Sequence, residues 1–594
     1  MGDSLLFEEL ANFYAKLEGV SSRLSMMEIL SDAFKAAHKD EVRAIVYITQ
    51  GILAPPFESS EFGVAEKIMT EAIAMATACD REQVEVEFRK FGDLGSAAEA
   101  LVSNHKRAKM HSRKYEVIEI YKNMLAIANT SGSGSKDKKL KMLAEMISSS
   151  SPIEARYLVR YPLGILRLGV GDSTIIEALS IAYTGDREFK KHIERAYNIS
   201  CDLGLVAYEL VNLGPNSIEN MKVKLFKPVR PALAERLVTP EEILERMGGE
   251  AAVEQKYDGF RTQVHMDGGR IKLYSRRLED TTQMFPDIAK AAIDEADVKS
   301  IIFEGEALVY DEAAESFLPF QQTIQRKRKH DIKKKAIELP LHLMVFDVLF
   351  LNGEDMLSRP YKDRRRVVEE IFGRGKIIRP TNMKIIRDPK KLEAFFKESI
   401  SSGLEGIVAK DMNAPYIAGA RKFSWIKLKR SYRGELSDTL DLVIVGYFLG
   451  RGNRAEFEFG GLLCAVYNPE RDVFETVSRI GSGFSEEQMA YLQNSLSKEC
   501  VKEKPARVDS IIKPDFWVYP MHVVTINADE ITRSPTHTCG RSIDSDGIET
   551  GYALRFPRLF GEELFREDKK PEDATTTSEI IEMFNLQKKV SLKE

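Results

Sequence analysis

The stretch Glu254-Gln255-Lys256-Tyr257-Asp258-Gly259-Phe260-Arg261 sets a lysine between two strong local signals. Before it, Ala251-Ala252-Val253 is a run of small apolar residues that reads as a short buried strand. After it, Asp258-Gly259 is a tight-turn pair, and Asp267-Gly268-Gly269 between Arg261–Met266 and Ile271–Arg276 is a hairpin signal. Lys256 is therefore expected at a strand end, held from both sides. An unpaired lysine is costly to desolvate and its pKa falls when that happens, which makes it a usable nucleophile. Taken alone, a K-x-D-G segment reads as a surface lysine beside a turn. The chemistry needs partners from elsewhere in the chain.

Those partners follow in order: Ser275-Arg276, Glu304-Gly305-Glu306, Phe346-Asp347, then Glu405-Gly406-Ile407-Val408-Ala409-Lys410. Trp425-Ile426-Lys427-Leu428-Lys429 alternates strictly, so Ile426 and Leu428 face one way while Trp425, Lys427 and Lys429 face the other. Two lysines converging on one strand face repel each other unless an anion lies between them. Further on come Gly450-Arg451-Gly452-Asn453-Arg454 and Leu554-Arg555-Phe556-Pro557-Arg558. Upstream, Ala155 to Asp172 interleaves arginines, among them Arg160 and Arg167, with aromatics and glycines just before a helix start at Asp172 or Ser173. Glycines there let backbone N–H groups approach phosphates, with arginines adding charge; an inter-helix turn with solvated arginines fits equally well. The basic run Arg326–Lys335 is ordinarily a solvated face, and in a DNA-binding reading it lies near phosphates.

The elements that must position these residues fall into three textures. Residues 1–215 read as helical, with Phe7, Leu10, Phe13 and Leu17, and later Val117, Ile120, Tyr121 and Met124, at helical spacing. Asn212-Leu213-Gly214-Pro215-Asn216 is a breaker cluster and the first boundary. Residues 216–432 mix strands (Ile301–Tyr310, Leu341–Phe350) with capped helices at Thr239-Pro240 and Asp388-Pro389, an α+β pattern. Ser431–Ser437 reads as a hinge. Residues 433–594 return to short strands, Leu442–Phe448, Gly461–Tyr467 and Val473–Ile480, with a helix capped by Ser485 and a charged tail; this is the pattern of a small all-β barrel such as an OB-fold.

Length and composition agree with a multidomain protein: 594 residues, 43% hydrophobic, 30% charged, with a formal charge of −5 that argues neither for nor against nucleic acid. The five cysteines form no CxxC pair, so a zinc site or disulfide framework is not expected. Met1-Gly2-Asp3-Ser4 lacks the features of a leader and no apolar run reaches membrane-spanning length, so a cytoplasmic location with no membrane partner is expected, nucleoid-associated in a prokaryote.

Taken as an ordered set, the motifs above resemble the ATP-dependent DNA ligases of the covalent nucleotidyltransferase superfamily, in the replicative type of archaea and eukaryotes. The resemblance spans nearly the whole chain. It implies three domains: all-α DNA-binding, α+β adenylation and all-β OB-fold. It implies a nick-sealing enzyme of DNA replication, repair and recombination, with ATP as AMP donor, Mg²⁺ or Mn²⁺ as cofactor and nicked double-stranded DNA as partner. A monomer is expected. A sliding clamp is a plausible partner by resemblance, although the helical domain carries no convincing clamp-binding motif.

Residue by residue, the resemblance makes Lys256 the nucleophile that becomes lysyl-AMP, Glu254 the acceptor of the adenine amino group and Phe346 the aromatic that stacks on the base. Arg261, Arg276, Arg421 and Lys410 match positions around the ribose and phosphates, Lys427 and Lys429 the phosphate-contacting lysines, and Glu306 and Glu405 the metal-binding carboxylates. Glu306 counts also among the nucleotide contacts. Arg555 and Arg558 match a mobile C-terminal motif that orients pyrophosphate, and Arg160, Arg167, Arg451 and Arg454 are the expected DNA contacts. Glu304 stands where the family often has aspartate. Gly406 separates Glu405 from Lys410, which an unbroken strand points to opposite faces, so a twist or bend is expected there. Rivals are an RNA ligase or a capping guanylyltransferase of the same superfamily, against which the helical domain speaks, and a non-catalytic scaffold, which has no need of Lys256. No GxxxxGK[ST] segment supports a kinase or ATPase.

Overall fold

The computed structural model describes residues 4–20, 22–104, 113–311, 316–318, 323–326, 332–429, 439–450, 459–528, 530–543, 549–561 and 564–591. Arg451, Arg454, the Ser431–Ser437 hinge, the side chain of Arg421 and residues 327–331 of the basic run lie outside them.

From Phe7–Glu18 to Pro215–Glu219 the described chain is helical. The first helix buries Phe7, Leu10, Tyr14 and Leu17, so the stripe runs through Tyr14 in place of the expected Phe13. Polar caps fix the ends: Asp80 and Gln83 form a reciprocal capping box, and Asp202 accepts from Leu205 N–H at 2.8 Å. The apolar core of this region runs on without a break into the next, taking in Val229, Ala232, Ile302, Phe350, Tyr416 and Trp425.

The central region holds two sheets. Its strands in chain order are β1 (Leu233–Arg236), β2 (Ala251–Lys256), β3 (Phe260–Asp267), β4 (Arg270–Ser275), β5 (Ser300–Asp311), β6 (Leu341–Leu351), β7 (Glu354–Asp355), β8 (Met383–Ile386), β9 (Gly406–Lys410) and β10 (Arg421–Lys429). One sheet has the order β1-β10-β9-β2-β8 and the other β4-β3-β5-β6-β7, with two further short strands at its side. The helix Pro240–Arg246 is capped by Thr239, whose side chain accepts from Glu242 N–H at 3.3 Å, and it packs with Pro389–Ser401 on the apolar face of the first sheet.

The C-terminal region is a β domain with its own core. Leu440–Phe448, Gly461–Asn468 and Val473–Ile480 pair in sequence as an antiparallel meander, and the helix Glu486–Ser497 is capped by Ser485. The last helix, Thr577–Ser591, buries Ile580 and Met583 in this core.

Candidate active site

The register of the first sheet explains why its functional side chains converge. In β9 against β2, Gly406 lies opposite Lys256, Val408 opposite Glu254 and Lys410 opposite Ala252. In β9 against β10, Lys429 lies opposite Gly406, Lys427 opposite Val408 and Trp425 opposite Lys410. Directly opposed residues share a face, and so do residues two apart on a strand. Glu254, Lys256, Lys410, Trp425, Lys427 and Lys429 therefore all project from one face, while Ile407, Ala409, Ile426 and Leu428 fill the core on the other. Gly406 permits the close pairing, because a Cβ there would lie 2.1 Å from Leu428 O. The bend expected between Glu405 and Lys410 lies at Gly406, whose φ of +153° breaks the alternation, so that Glu405 reaches Lys256 and Lys429 on the face that also carries Lys410.

The second sheet closes the cavity from the other side. Arg261 lies opposite Glu306, and Gln263 opposite Glu304. Between β5 and β6, Glu304 pairs with Asp347 and Gly305 with Val345, leaving Phe346 as the extra residue of a bulge. A bulge re-aims the side chain it carries, and Phe346 lines the cavity while still packing against the apolar core. The cavity measures about 1530 Å³, above the usual several hundred to one thousand for small-molecule sites, because the C-terminal domain adds a wall that includes Phe560, Phe565, Arg566, Lys569 and Glu579.

At its centre Lys256 and Lys429 both form ion pairs with Glu405. Burial penalises the charge on Lys256, but Glu405 and then Glu306 overcome it and raise the pKa. Burial also acts on Glu405, yet the two lysines hold it down at about 2. Glu306 has no such paired lysines: burial dominates and pushes it up to about 7, with Lys256 opposing. Burial, reinforced by Lys256, lowers Lys429.

Glu254 is held by three donors, which leaves its carboxylate room for one more. Its carboxylate takes bonds from the Tyr361 hydroxyl, from Thr381 Oγ1 at 2.9 Å and from Lys410 Nζ at 2.9 Å. Lys410 also donates to Phe346 O at 2.8 Å and stands 4.2–5.0 Å from the ring centres of Trp425, Tyr361 and Phe346. Burial lowers its pKa. Arg261 donates to Ala232 O at 2.7 Å and to Glu304 at 2.8 Å and lies over Phe346. Glu304 is thus an internal anchor for Arg261, which accounts for a carboxylate at that position. Arg276 lines the mouth of the cavity.

The structure brings most of the expected site residues together, and not others. Arg555 and Arg558 are exposed and do not line the cavity, whereas Arg566 and Lys569 do, joined to Asp441. Sequence reasoning passed over both because they sit in a charged tail without periodicity. Lys427 is approached by Glu579 of the last helix at 3.9 Å. Arg160, expected at DNA, is 4% exposed, with Nη2 2.7 Å from Asp93 and Nη1 2.6 Å from Glu18: it is an internal arginine of the helical region. Arg167 is likewise enclosed, donating to Cys500 O at 3.2 Å and Gly92 O at 3.1 Å, and so ties the helical region to the C-terminal domain. The glycines beside it serve that contact: a Cβ on Gly171 would lie 3.0 Å from the Arg507 guanidinium. Arg326 of the basic run is buried against Asp287 at 2.9 Å.

Glu306 and Glu405 offer hard oxygen donors beside a lysine-rich pocket. Among the described residues no group of three or more His, Cys, Asp or Glu side chains is arranged to hold a metal. Two carboxylates with the rest of the shell from water and substrate phosphates is how Mg²⁺ is ordinarily held, so the residues fit that ion. No helix among the described residues is long and apolar enough to cross a membrane.

Comparison with known proteins gives the same outline. A family model described as DNA ligase N terminus matches residues 6–180, one described as ATP dependent DNA ligase domain matches 231–429, and one described as ATP dependent DNA ligase C terminal region matches 455–569. A Dictyoglomus turgidum protein named "Probable DNA ligase" is 47% identical over 590 residues, covering 99% of each chain. A Sulfolobus acidocaldarius protein named "DNA ligase" is 39% identical over 596 residues, covering 98% of this chain and 99% of its own. A solved structure titled mycobacterial DNA ligase D complexed with ATP and MES is 24% identical, covers 58% of this chain and 97% of its own, and superposes with a TM-score of 0.33.

Proposed function

The chain belongs to the ATP-dependent DNA ligase family, and from that premise we propose that it seals nicks in duplex DNA through a lysyl-AMP intermediate on Lys256. The observation that carries the reading is the Lys256–Glu405–Lys429 cluster on the same sheet face as Glu254 and Lys410. A nucleophile, a base-reading carboxylate and phosphate-binding cations face one cavity.

In the first step Lys256 Nζ, after losing a proton, attacks the α-phosphorus of ATP. The P–N bond forms as the bond to the pyrophosphate oxygen breaks. An oxygen of the 5′-phosphate at a nick then attacks the same phosphorus, the P–N bond breaks and Lys256 regains a proton; the adjacent 3′-hydroxyl, giving its proton to water, attacks the 5′-phosphorus and expels AMP, sealing the strand. Each step is an in-line phosphoryl transfer, governed by positioning and charge neutralisation. Glu254 takes the adenine amino group and Phe346 stacks on the base. Arg261, Arg276 and Lys429 hold ribose and phosphates, and Arg566 and Lys569 meet the pyrophosphate from the C-terminal wall. Glu306 and Glu405 would hold Mg²⁺ or Mn²⁺, whose charge would neutralise the phosphate oxygens. The C-terminal β domain, read as an OB-fold, must leave its present seat for a duplex to reach Arg167 and its glycines. Replication, repair and recombination are the settings in which such nicks arise.

The test is incubation with α-labelled ATP or GTP, with denaturing gels to trap the adduct, followed by sealing of nicked DNA or nicked RNA. An ATP-specific adduct and DNA sealing are expected. A GTP adduct or RNA-only sealing moves the protein to a sister branch of the superfamily, and no adduct at all removes the reading.

A further inference from the structure

The peptide that enters the central domain from the helical one is built into the nucleotide site. Ala232 N–H donates to the Tyr416 hydroxyl at 2.8 Å, and Ala232 C=O accepts from Arg261 Nη1 at 2.7 Å. Tyr416 in turn donates to Glu304 Oε2 at 2.6 Å, and Arg261 Nη2 reaches the same oxygen at 2.8 Å. The result is a closed ring, Ala232–Arg261–Glu304–Tyr416, with Tyr416 buried and Glu304 fully enclosed.

A second chain of bonds fixes the ring from behind. Phe226 N–H donates to His265 Nδ1 at 3.0 Å, so the ring proton of His265 is on Nε2, which donates to Gln263 Oε1 at 2.8 Å. Burial keeps this imidazole neutral, with its pKa pushed down to about 3. Gln263 Oε1 also accepts from Val229 N–H at 2.8 Å, while its Nε2 donates to Val229 O at 2.9 Å and to Glu304 Oε1 at 3.1 Å. A flipped amide would face acceptors with an acceptor, so the orientation has one solution. Both oxygens of Glu304 are thereby satisfied from fixed donors, and Arg261 is gripped by a carboxylate that cannot turn. Arg261 Nε is buried with no hydrogen-bond partner among the described residues, and it remains to be given to a ligand.

We infer that Tyr416 is a positioning residue for Arg261, and that through the Ala232 peptide it makes the inter-domain connection part of the nucleotide site. The inference rests on the nucleotidyl-transfer reading, since it is the ATP reaction that a displaced Arg261 slows. Removing the hydroxyl strips Ala232 N–H of its partner, Glu304 of one donor and Arg261 Nη2 of an acceptor at 3.3 Å, while the aromatic ring still packs against Trp425 at 5.8 Å between centres.

The experiment is a double-mutant cycle on the single-turnover rate of lysyl-AMP formation in the full chain. Tyr416→Phe is expected to slow the parent about tenfold, the order for loosening a buried hydrogen-bonded charge rather than removing it. In an Arg261→Lys background, where the cation remains but the fork spanning Ala232 O and Glu304 is gone, Tyr416→Phe is expected to change the rate less than about twofold. Melting temperature, read alongside, is expected to fall in both backgrounds, since Tyr416 still bonds Ala232 and Glu304 when Arg261 is replaced. An equal slowing in both backgrounds, or no slowing in the parent, overturns the inference. A parent that forms no adduct sinks the underlying reading instead.

Discussion

Glu405 is bonded to Lys256 twice over. Its backbone N–H donates to Lys256 O at 3.1 Å, and its side chain pairs with the Lys256 ammonium. The same carboxylate takes Lys429 on its other oxygen. The nucleophile at rest is therefore a protonated lysine in a three-charge cluster, and any group that competes for Glu405 favours its deprotonation. This ties the carboxylates to nucleophile activation as well as to phosphate charge.

Lys256→Ala is expected to abolish the covalent AMP adduct and the sealing of ordinary nicks, with nick affinity within about twofold of the parent. Lys256→Arg should be equally inactive, because a guanidinium keeps its proton. Adduct formation is read on denaturing gels and affinity by titration of a labelled nicked duplex. An undiminished adduct from either variant ends the mechanism as stated.

Glu306→Ala and Glu405→Ala should each slow sealing on the order of 10²–10³-fold, the range for losing one preorganised charge contact at a phosphoryl centre. Nick affinity should change little. A magnesium titration is the check: parental rates at every concentration would remove both residues from the metal assignment.

A pH dependence follows from the last helix. Burial, augmented by Glu235, Glu579 and Glu242 and opposed by Arg236, raises Glu582 from 4.5 to about 7. A raised carboxyl holds its proton more tightly in the folded protein. Its stabilising contribution is complete below about 4.5 and is lost as pH rises through about 7. Glu582→Gln, neutral throughout, should thus melt higher than the parent at pH 8 and together with it near pH 4.5. A difference that is largest at the acid end would reverse the argument.

The parts of the site that were legible in the sequence are those set by local pattern. The apolar entry to Lys256, the Asp258-Gly259 turn and the strict alternation of Trp425–Lys429 each fix a side-chain direction within a few residues, and β2, β3 and β10 appear there. Phe346 was not legible as a cavity residue from pattern alone, since its aim comes from a bulge that exists only relative to β5. Nor was the burial of Arg160: nothing around it announces Asp93, 67 residues away. Glu304 belongs to the same class, its role being set by Gln263 opposite, by Arg261 and by distant Tyr416. Register and long-range pairing, not propensity, decided these.

The two ends of the C-terminal wall can be separated by reaction step. Arg566 and Lys569 line the cavity, and burial and Lys256, with Lys569 adding to them, lower the pKa of Lys429 against Glu405, which raises it. Arg555 and Arg558 stand exposed elsewhere on the domain, on either side of Phe556, itself 71% exposed. Arg566→Ala with Lys569→Ala should therefore cut adduct formation on the order of 10²-fold while an already adenylated nick is sealed within a few-fold of the parental rate. Arg555→Ala with Arg558→Ala should leave adduct formation within about threefold and weaken nick binding in a salt-dependent way, since contacts to phosphate release counterions. Both pairs are to be assayed for adduct formation and for sealing of pre-adenylated nicks at two salt concentrations. If the Arg555/Arg558 pair loses the adduct and the Arg566/Lys569 pair keeps it, the C-terminal domain must rotate beyond its present seat to reach ATP, and the cavity seen here is not the one in which the lysine is adenylated.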